Sequence, residues 1–149
     1  MTNVRIRQAT IEDLESLAAL FDEYRVFYES ESDLDGARAF LWNRFEHNES
    51  VIFIAEAGEE AAGFVQLYPS FSSVSMRRIW ILNDLFVRET YRGQRIGEGL
   101  LNAAKRYAVL TKAKRIELTT ATTNEKAQRL YEKNGYELDR VFLKYSLSL

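Results

Sequence analysis

The chain has 149 residues, 46% of them hydrophobic and 28% charged, and a net charge of −2. That length predicts one domain over residues 1–149 with a sizeable core, and so small a charge excludes an electrostatic case for nucleic acid or anionic membranes. With no cysteine, disulfides, thiolate zinc sites and acyl-cysteine chemistry are impossible.

Residues 4–7 alternate apolar and charged side chains, a first strand. The run before them has no apolar leader core. No apolar stretch in the chain approaches the ~18 residues of a membrane span. A cytoplasmic protein is expected. Thr10-Ile11-Glu12-Asp13 reads as a capping box, with apolar residues at 11, 14, 17, 21, 24 and 28 forming a helix face. Ser32 starts a second helix carrying Leu34, Ala37, Leu41 and Phe45 on one side. His47 lies in a polar stretch and reads as a surface residue, so no metal site is expected. Residues 51–55 and 62–68 are strands joined by a turn near Gly58. Pro69 weakens the end of the second, and 70–75 read as a polar loop.

Residues 79–87 form a strand that runs into a turn rich in Arg and Gly and then a helix over 96–110. Such a junction aims several backbone N–H groups, backed by the helix dipole, at one spot. It suits a phosphate, and arginines at its lip suit a pyrophosphate. Gly97-Glu98-Gly99 lacks the Lys and Ser or Thr of a Walker loop. Glycines at 93, 97 and 99 also miss the dinucleotide fingerprint. A further strand (115–119) precedes a short helix capped by Thr123 or Asn124. There Ala127, Leu130 and Tyr131 share a face, and Gly135 ends it in a left-handed cap. Residues 136–138 and 141–147 close the chain as strands, Val141, Leu143, Tyr145 and Leu147 on one face.

The turn resembles the acetyl-CoA loop of the GNAT superfamily of N-acetyltransferases, Gln/Arg-x-x-Gly-x-Gly/Ala. Arg92, Gly97 and the flanking Tyr91, Gly93, Ile96, Leu100 and Leu101 fall at family positions. Arg95 stands where the middle glycine is usual. Either it takes a right-handed backbone and leaves the amides in place, or its guanidinium reaches the phosphates itself. Asn124, Ala127, Leu130, Tyr131, Gly135 and Tyr136 match the second family segment in order. The runs Arg25-Val26-Phe27-Tyr28 and Leu82-Asn83-Asp84-Leu85-Phe86-Val87 are similar to the subgroup that includes yeast histone and D-amino-acid acetyltransferases. The element order implies an α/β fold with a mixed, mostly antiparallel sheet of about seven strands and helices on both faces.

The resemblance implies an acetyl-CoA-dependent N-acetyltransferase working by direct transfer in a ternary complex, with coenzyme A as co-substrate. Tyr131 is the implied proton donor to the leaving thiolate, since a phenol of pKa ~10 is protonated at neutral pH. Asn124 is implied to bond the pantetheine arm or to hold a water. Leu85, Phe86 and Val87 are implied to offer main-chain groups to it. Arg92, Gly93, Gln94, Arg95, Ile96, Gly97 and Glu98 are implied to cradle the phosphates. Related enzymes carry a Glu-Asp pair where this chain has Asn83-Asp84, so Asp84 is the carboxylate left to bind the ammonium or take its proton. Regular alternation would turn Asn83 and Asp84 to opposite faces. Tyr24, Phe27, Tyr28, Asn83 and Asp84, with Tyr68 and Trp80, are the expected amine pocket. The acceptor is a small-molecule or protein amine, and a homodimer is expected. The competing readings are a non-catalytic acyl-CoA-binding or protein-interaction module of the same fold, and a nucleotide-phosphate binder.

Overall fold

In a computed structural model, which describes residues 3–149, the chain divides after Thr119 into two compact units. The first unit holds a sheet of five strands in chain order. These are β1 (Val4–Gln8), β2 (Val51–Ala57), β3 (Glu60–Ser72), β4 (Arg77–Val87) and β5 (Ile116–Glu117). The first four pair antiparallel and β5 joins β4 in parallel, so the sheet is mixed and mostly antiparallel, as expected.

Helices cover both faces. The helices α1 (Leu14–Phe27) and α2 (Leu34–Glu46) bury Leu17, Leu20, Phe21, Ala37 and Leu41 against Ile52, Ile54, Phe64 and Phe86. The helix α3 (Ile96–Leu110) lies on the other face, where Tyr107 meets Phe53 and Trp80 at ring separations of 5.6 and 5.4 Å. It also crosses β1 closely: a Cβ added at Gly99 would sit 2.6 Å from Ile6 Cδ1.

The first capping box forms as read, with Thr10 accepting from Glu12 N and Asp13 accepting from Thr10 N at 2.8 Å. The second helix is capped by Asp33, whose Oδ1 accepts from Gly36 N at 2.9 Å. Ser32, expected in that role, instead donates its hydroxyl to Asp22 at 2.6 Å. The turn of polar residues expected over 70–75 is shorter, because β3 runs through Pro69 to Ser72. Its pairing with β2 stops at Leu67. Pro69 therefore lies past the β2 ladder, where its missing N–H breaks no rung.

The second unit, Thr120–Leu149, holds α4 (Glu125–Lys133). Asn124 caps it, Oδ1 accepting from Ala127 N at 3.2 Å. Gly135 at φ +93 closes it, with Tyr136 N donating to Tyr131 O at 3.0 Å. The strands expected over 136–138 and 141–147 are not formed, which leaves five strands where about seven were expected. Alternation decides which way side chains face, but a strand exists only where another edge takes its N–H and C=O groups. Here Asp139 Oδ1 accepts from the amides of Val141 and Phe142, a local turn that competes with a ladder. Among the described residues no helix is long and apolar enough to cross a membrane.

Candidate active site

The pairing of β4 changes phase at one residue. Gln66 pairs with Asp84, but Leu67 pairs with Leu82. Asn83 is thus an extra residue, a β-bulge. Directly opposed residues share a face. Before the bulge the even positions therefore face α3, as Trp80 does. After it they face α1 and α2, as Phe86 does against Tyr24.

The bulge overturns the expectation that Asn83 and Asp84 point apart. Asn83 Nδ2 donates to Asp84 Oδ1 at 3.1 Å. From across the ladder, Gln66 Nε2 donates to Asp84 Oδ2 at 2.8 Å. Asp84 is 5% exposed and Gln66 0%. Both carboxylate oxygens therefore meet a neutral donor, and no ion pair reaches Asp84 among the described residues. Tyr68, next on the same face of β3, has its phenol pushed up to about 12, chiefly by burial and then by the charge of Asp84, with Arg44 opposing.

Gln66 was not singled out from the sequence, although an amide within the apolar run 61–67 was the available signal. Its Oε1 is buried without a partner. Turning the amide over would set that oxygen against a carboxylate oxygen, so its orientation is fixed by Asp84. A hydrogen bond to a charged group contributes about 1.5–3 kcal/mol, and an orphaned buried acceptor costs about 1–3 kcal/mol. The two nearly cancel.

On the same face the end of α1 supplies an aromatic group. Tyr24 contacts Tyr28 at 5.1 Å and Phe86 at 5.9 Å, and Phe27 contacts Phe86 at 6.2 Å. Phe86 is two residues past Asp84, so these expected pocket residues gather beside it. Trp80 does not join them. The bulge turns it to α3, where its Nε1 donates to Thr111 Oγ1 at 2.9 Å.

Beyond Val87 the chain makes a 3-10 turn (Glu89–Tyr91) and enters α3. Gly99 N is bonded back to Arg95 O at 3.1 Å, so the amides of Ile96 and Gly97 precede the first intrahelical bond and have no helical acceptor. No side chain caps them from the N-cap position, Arg95. Arg95 is left-handed, φ 61 and ψ 23, and not right-handed as one expectation had it. Gly93, at φ +82, makes the same kind of bend two residues earlier. The chain therefore turns twice within the loop. Arg92 donates its Nε–H to Val87 O at 2.9 Å. Its guanidinium lies 5.1 Å over Phe27 and 5.8 Å over Phe86, leaving its terminal nitrogens to face an anion.

The β4–β5 ladder covers only Trp80 and Ile81. At Leu85, Phe86 and Val87 the ladder runs to β3 alone, so the second edge of β4 there can bond extended amides. The backbones meet closely on the paired side, where a Cβ at Gly63 would stand 2.5 Å from Phe86 O.

In the second unit Asn124 caps α4, and Tyr131 lies two turns on with its ring 5.8 Å from that of Tyr136. Tyr136 is pushed up to about 12 by burial, then by Tyr131. His47 is exposed at the end of α2, its ring nitrogen 2.9 Å from Asn43 O.

Comparison with known proteins follows the same line. The model of the acetyltransferase (GNAT) family matches residues 17–136. The chain is 53% identical over 146 residues to an uncharacterized N-acetyltransferase, YhfO, of Bacillus subtilis (strain 168), covering 98% of each. It is 34% identical to a probable acetyltransferase of Haemophilus influenzae, covering 92% of each. A crystal structure of a probable acetyltransferase superposes with a TM-score of 0.93 at 47% identity, over 97% of both chains.

Proposed function

The chain belongs to the acetyltransferase (GNAT) family, and from that premise we propose that it is an acetyl-CoA-dependent N-acetyltransferase. In this reading it acts on a primary amine by direct transfer in a ternary complex, residues 1–149 working as one catalytic domain in the cytoplasm. The observation that carries it is the head of α3, where Arg95 at the N-cap makes no side-chain cap bond, beside a β4 whose second edge lies open past Ile81.

Acetyl-CoA supplies the acetyl group as a thioester, together with a diphosphate and a thiol leaving group. Arg92, Gly93, Gln94, Arg95, Ile96, Gly97 and Glu98 hold the diphosphate, through main-chain N–H groups and the helix dipole. Leu85, Phe86 and Val87 bond the arm and the acetyl carbonyl through their backbone, and Asn124 bonds the arm from α4. Tyr24, Phe27, Tyr28 and Asn83 line the amine side. Asp84 receives the acceptor's ammonium and takes its proton by way of water. The freed nitrogen attacks the carbonyl carbon, loses its second proton to water, and the carbon–sulfur bond breaks. Tyr131 gives its phenolic proton to the departing sulfur, and solvent restores it.

The test is a screen of amines with release of free thiol as the readout, followed by kinetics of Tyr131→Phe. Removing a general acid lowers kcat by about 10²-fold or more, while acetyl-CoA affinity stays close to wild type. An unchanged kcat removes Tyr131 from the chemistry. Coenzyme binding with no thiol release on any amine favours a non-catalytic module. We also propose a homodimer formed through the exposed side chains of Val141, Leu143, Tyr145 and Leu147; a monomer in sedimentation at micromolar concentration rejects it.

A further inference from the structure

Gln66 lies in the middle of β3, flanked in the ladder by Ile52 and Asp84. Its neighbours on that face, Phe64 and Ile52, are buried apolar core residues, and an apolar side chain would suit the position. Its side-chain Nε2 donates to Asp84, and its Oε1 is orphaned. The amide brings the fold no clear gain, so its effect must be sought in what it does to the carboxylate.

That effect is directional. Gln66 and Asn83 each engage one oxygen of Asp84, at 2.8 and 3.1 Å. A carboxylate offers about four lone-pair sites, so two remain for a ligand. The two amides fix the plane of the group but bring no positive charge. A negative charge that is 5% exposed and lacks a cation among the described residues attracts one strongly. The rings of Tyr24 and Tyr28, packed beside Phe86 on the same face, suit an alkylammonium ion.

We propose that Gln66 is the positioning residue of the acceptor site, holding the Asp84 carboxylate so that it selects acceptors arriving as alkylammonium ions over neutral amines. The inference rests on the acetyltransferase reading only for the name of the site; the cation-binding claim stands or falls separately.

The experiment follows the side-chain amide NMR signals of Gln66 and Asn83 in the ¹⁵N-labelled full chain, titrated at pH 7 with methyl- to hexylammonium chlorides and 1,4-diaminobutane. Matched alcohols are the neutral controls. Both amide signals should move with an ammonium and stay still with the alcohols. Gln66→Met keeps the volume and removes the orphaned acceptor, but leaves Asp84 Oδ2 without its donor, so it should fold with a lowered melting temperature. It should weaken ammonium binding about tenfold, the equivalent of about one charged hydrogen bond. Asp84→Asn should weaken it at least as much, and Gln66→Met should add nothing in the Asp84→Asn background. With any amine that is turned over, Gln66→Met should raise KM for the amine and leave KM for acetyl-CoA alone.

Still amide signals in the wild type, wild-type affinity in Gln66→Met, or additive losses in the double variant each overturn the proposal. Should Gln66→Met fail to fold, the wild-type signals and Asp84→Asn decide it. Ammonium binding at Asp84 without thiol release would sink the enzyme reading and spare this one. Thiol release unaffected by Gln66→Met would do the reverse.

Discussion

Arg95 shows how much one φ angle can hide from sequence reading. The loop motif was legible from its spacing, as was the departure from glycine, but the choice of a left-handed backbone at Arg95 was not. A non-glycine residue there carries about 1–2 kcal/mol of strain, offset in a glycine variant by about 0.5–1 kcal/mol of extra chain entropy in the unfolded state. Arg95→Gly should therefore stabilise the fold by about 0.5–1 kcal/mol, raising Tm by about 1–4 °C. Calorimetry of the variant measures this, and titration with coenzyme A should show weaker binding if the guanidinium serves the phosphates. A lower Tm would mean that Arg95 makes contacts worth more than its strain. Asn124 was readable as a helix cap, and the structure places it as the cap of α4. Gln66 was overlooked because burial on a central strand makes most residues apolar, and a single amide in such a run carries no periodic signal.

At the scale of elements, the strands, helices and hairpin came from alternation and capping, which are local. What escaped was the phase of β4. A bulge leaves no mark in composition, because the extra residue is defined only by the strand opposite it. Deleting Asn83 would restore unbroken alternation and so force one end of β4 to turn its side chains to the wrong face. Either Trp80 and Leu82 would leave α3, or Asp84 and Phe86 would leave α1. The deletion should abolish cooperative thermal unfolding, whereas Asn83→Ala should retain it; a well-folded deletion variant would show that the register can slip at little cost. The terminal strands failed as expectations for a related reason. Val141 through Leu147 alternate well enough, yet alternation specifies a face and not a partner.

For the whole molecule, two half-buried phenols bear on stability at alkaline pH. Tyr68 and Tyr136 are each pushed up to about 12, by burial first and by Asp84 or Tyr131 second. The native state then holds these protons more tightly than the unfolded chain, whose phenols titrate near ~10. Their contribution is fully present below pH ~10 and is lost as pH rises through about 12. Tm should fall across that window, less steeply in Tyr68→Phe and least in the double Phe variant, as scanning calorimetry would show. Identical slopes would remove both phenols from the titration. The fold class was legible at this scale because two spaced motifs and the element order agree, whereas the sheet's length depended on pairing that no local pattern records. Arg92 carries the last consequence. Its Nε–H is committed to Val87, and its flat face rests on Phe27, the final residue of α1. An anion drawing on its free nitrogens pulls on a plate against which Phe27 leans. Turnover would thereby acquire an order of arrival, the donor seated before the opposite wall takes its working form.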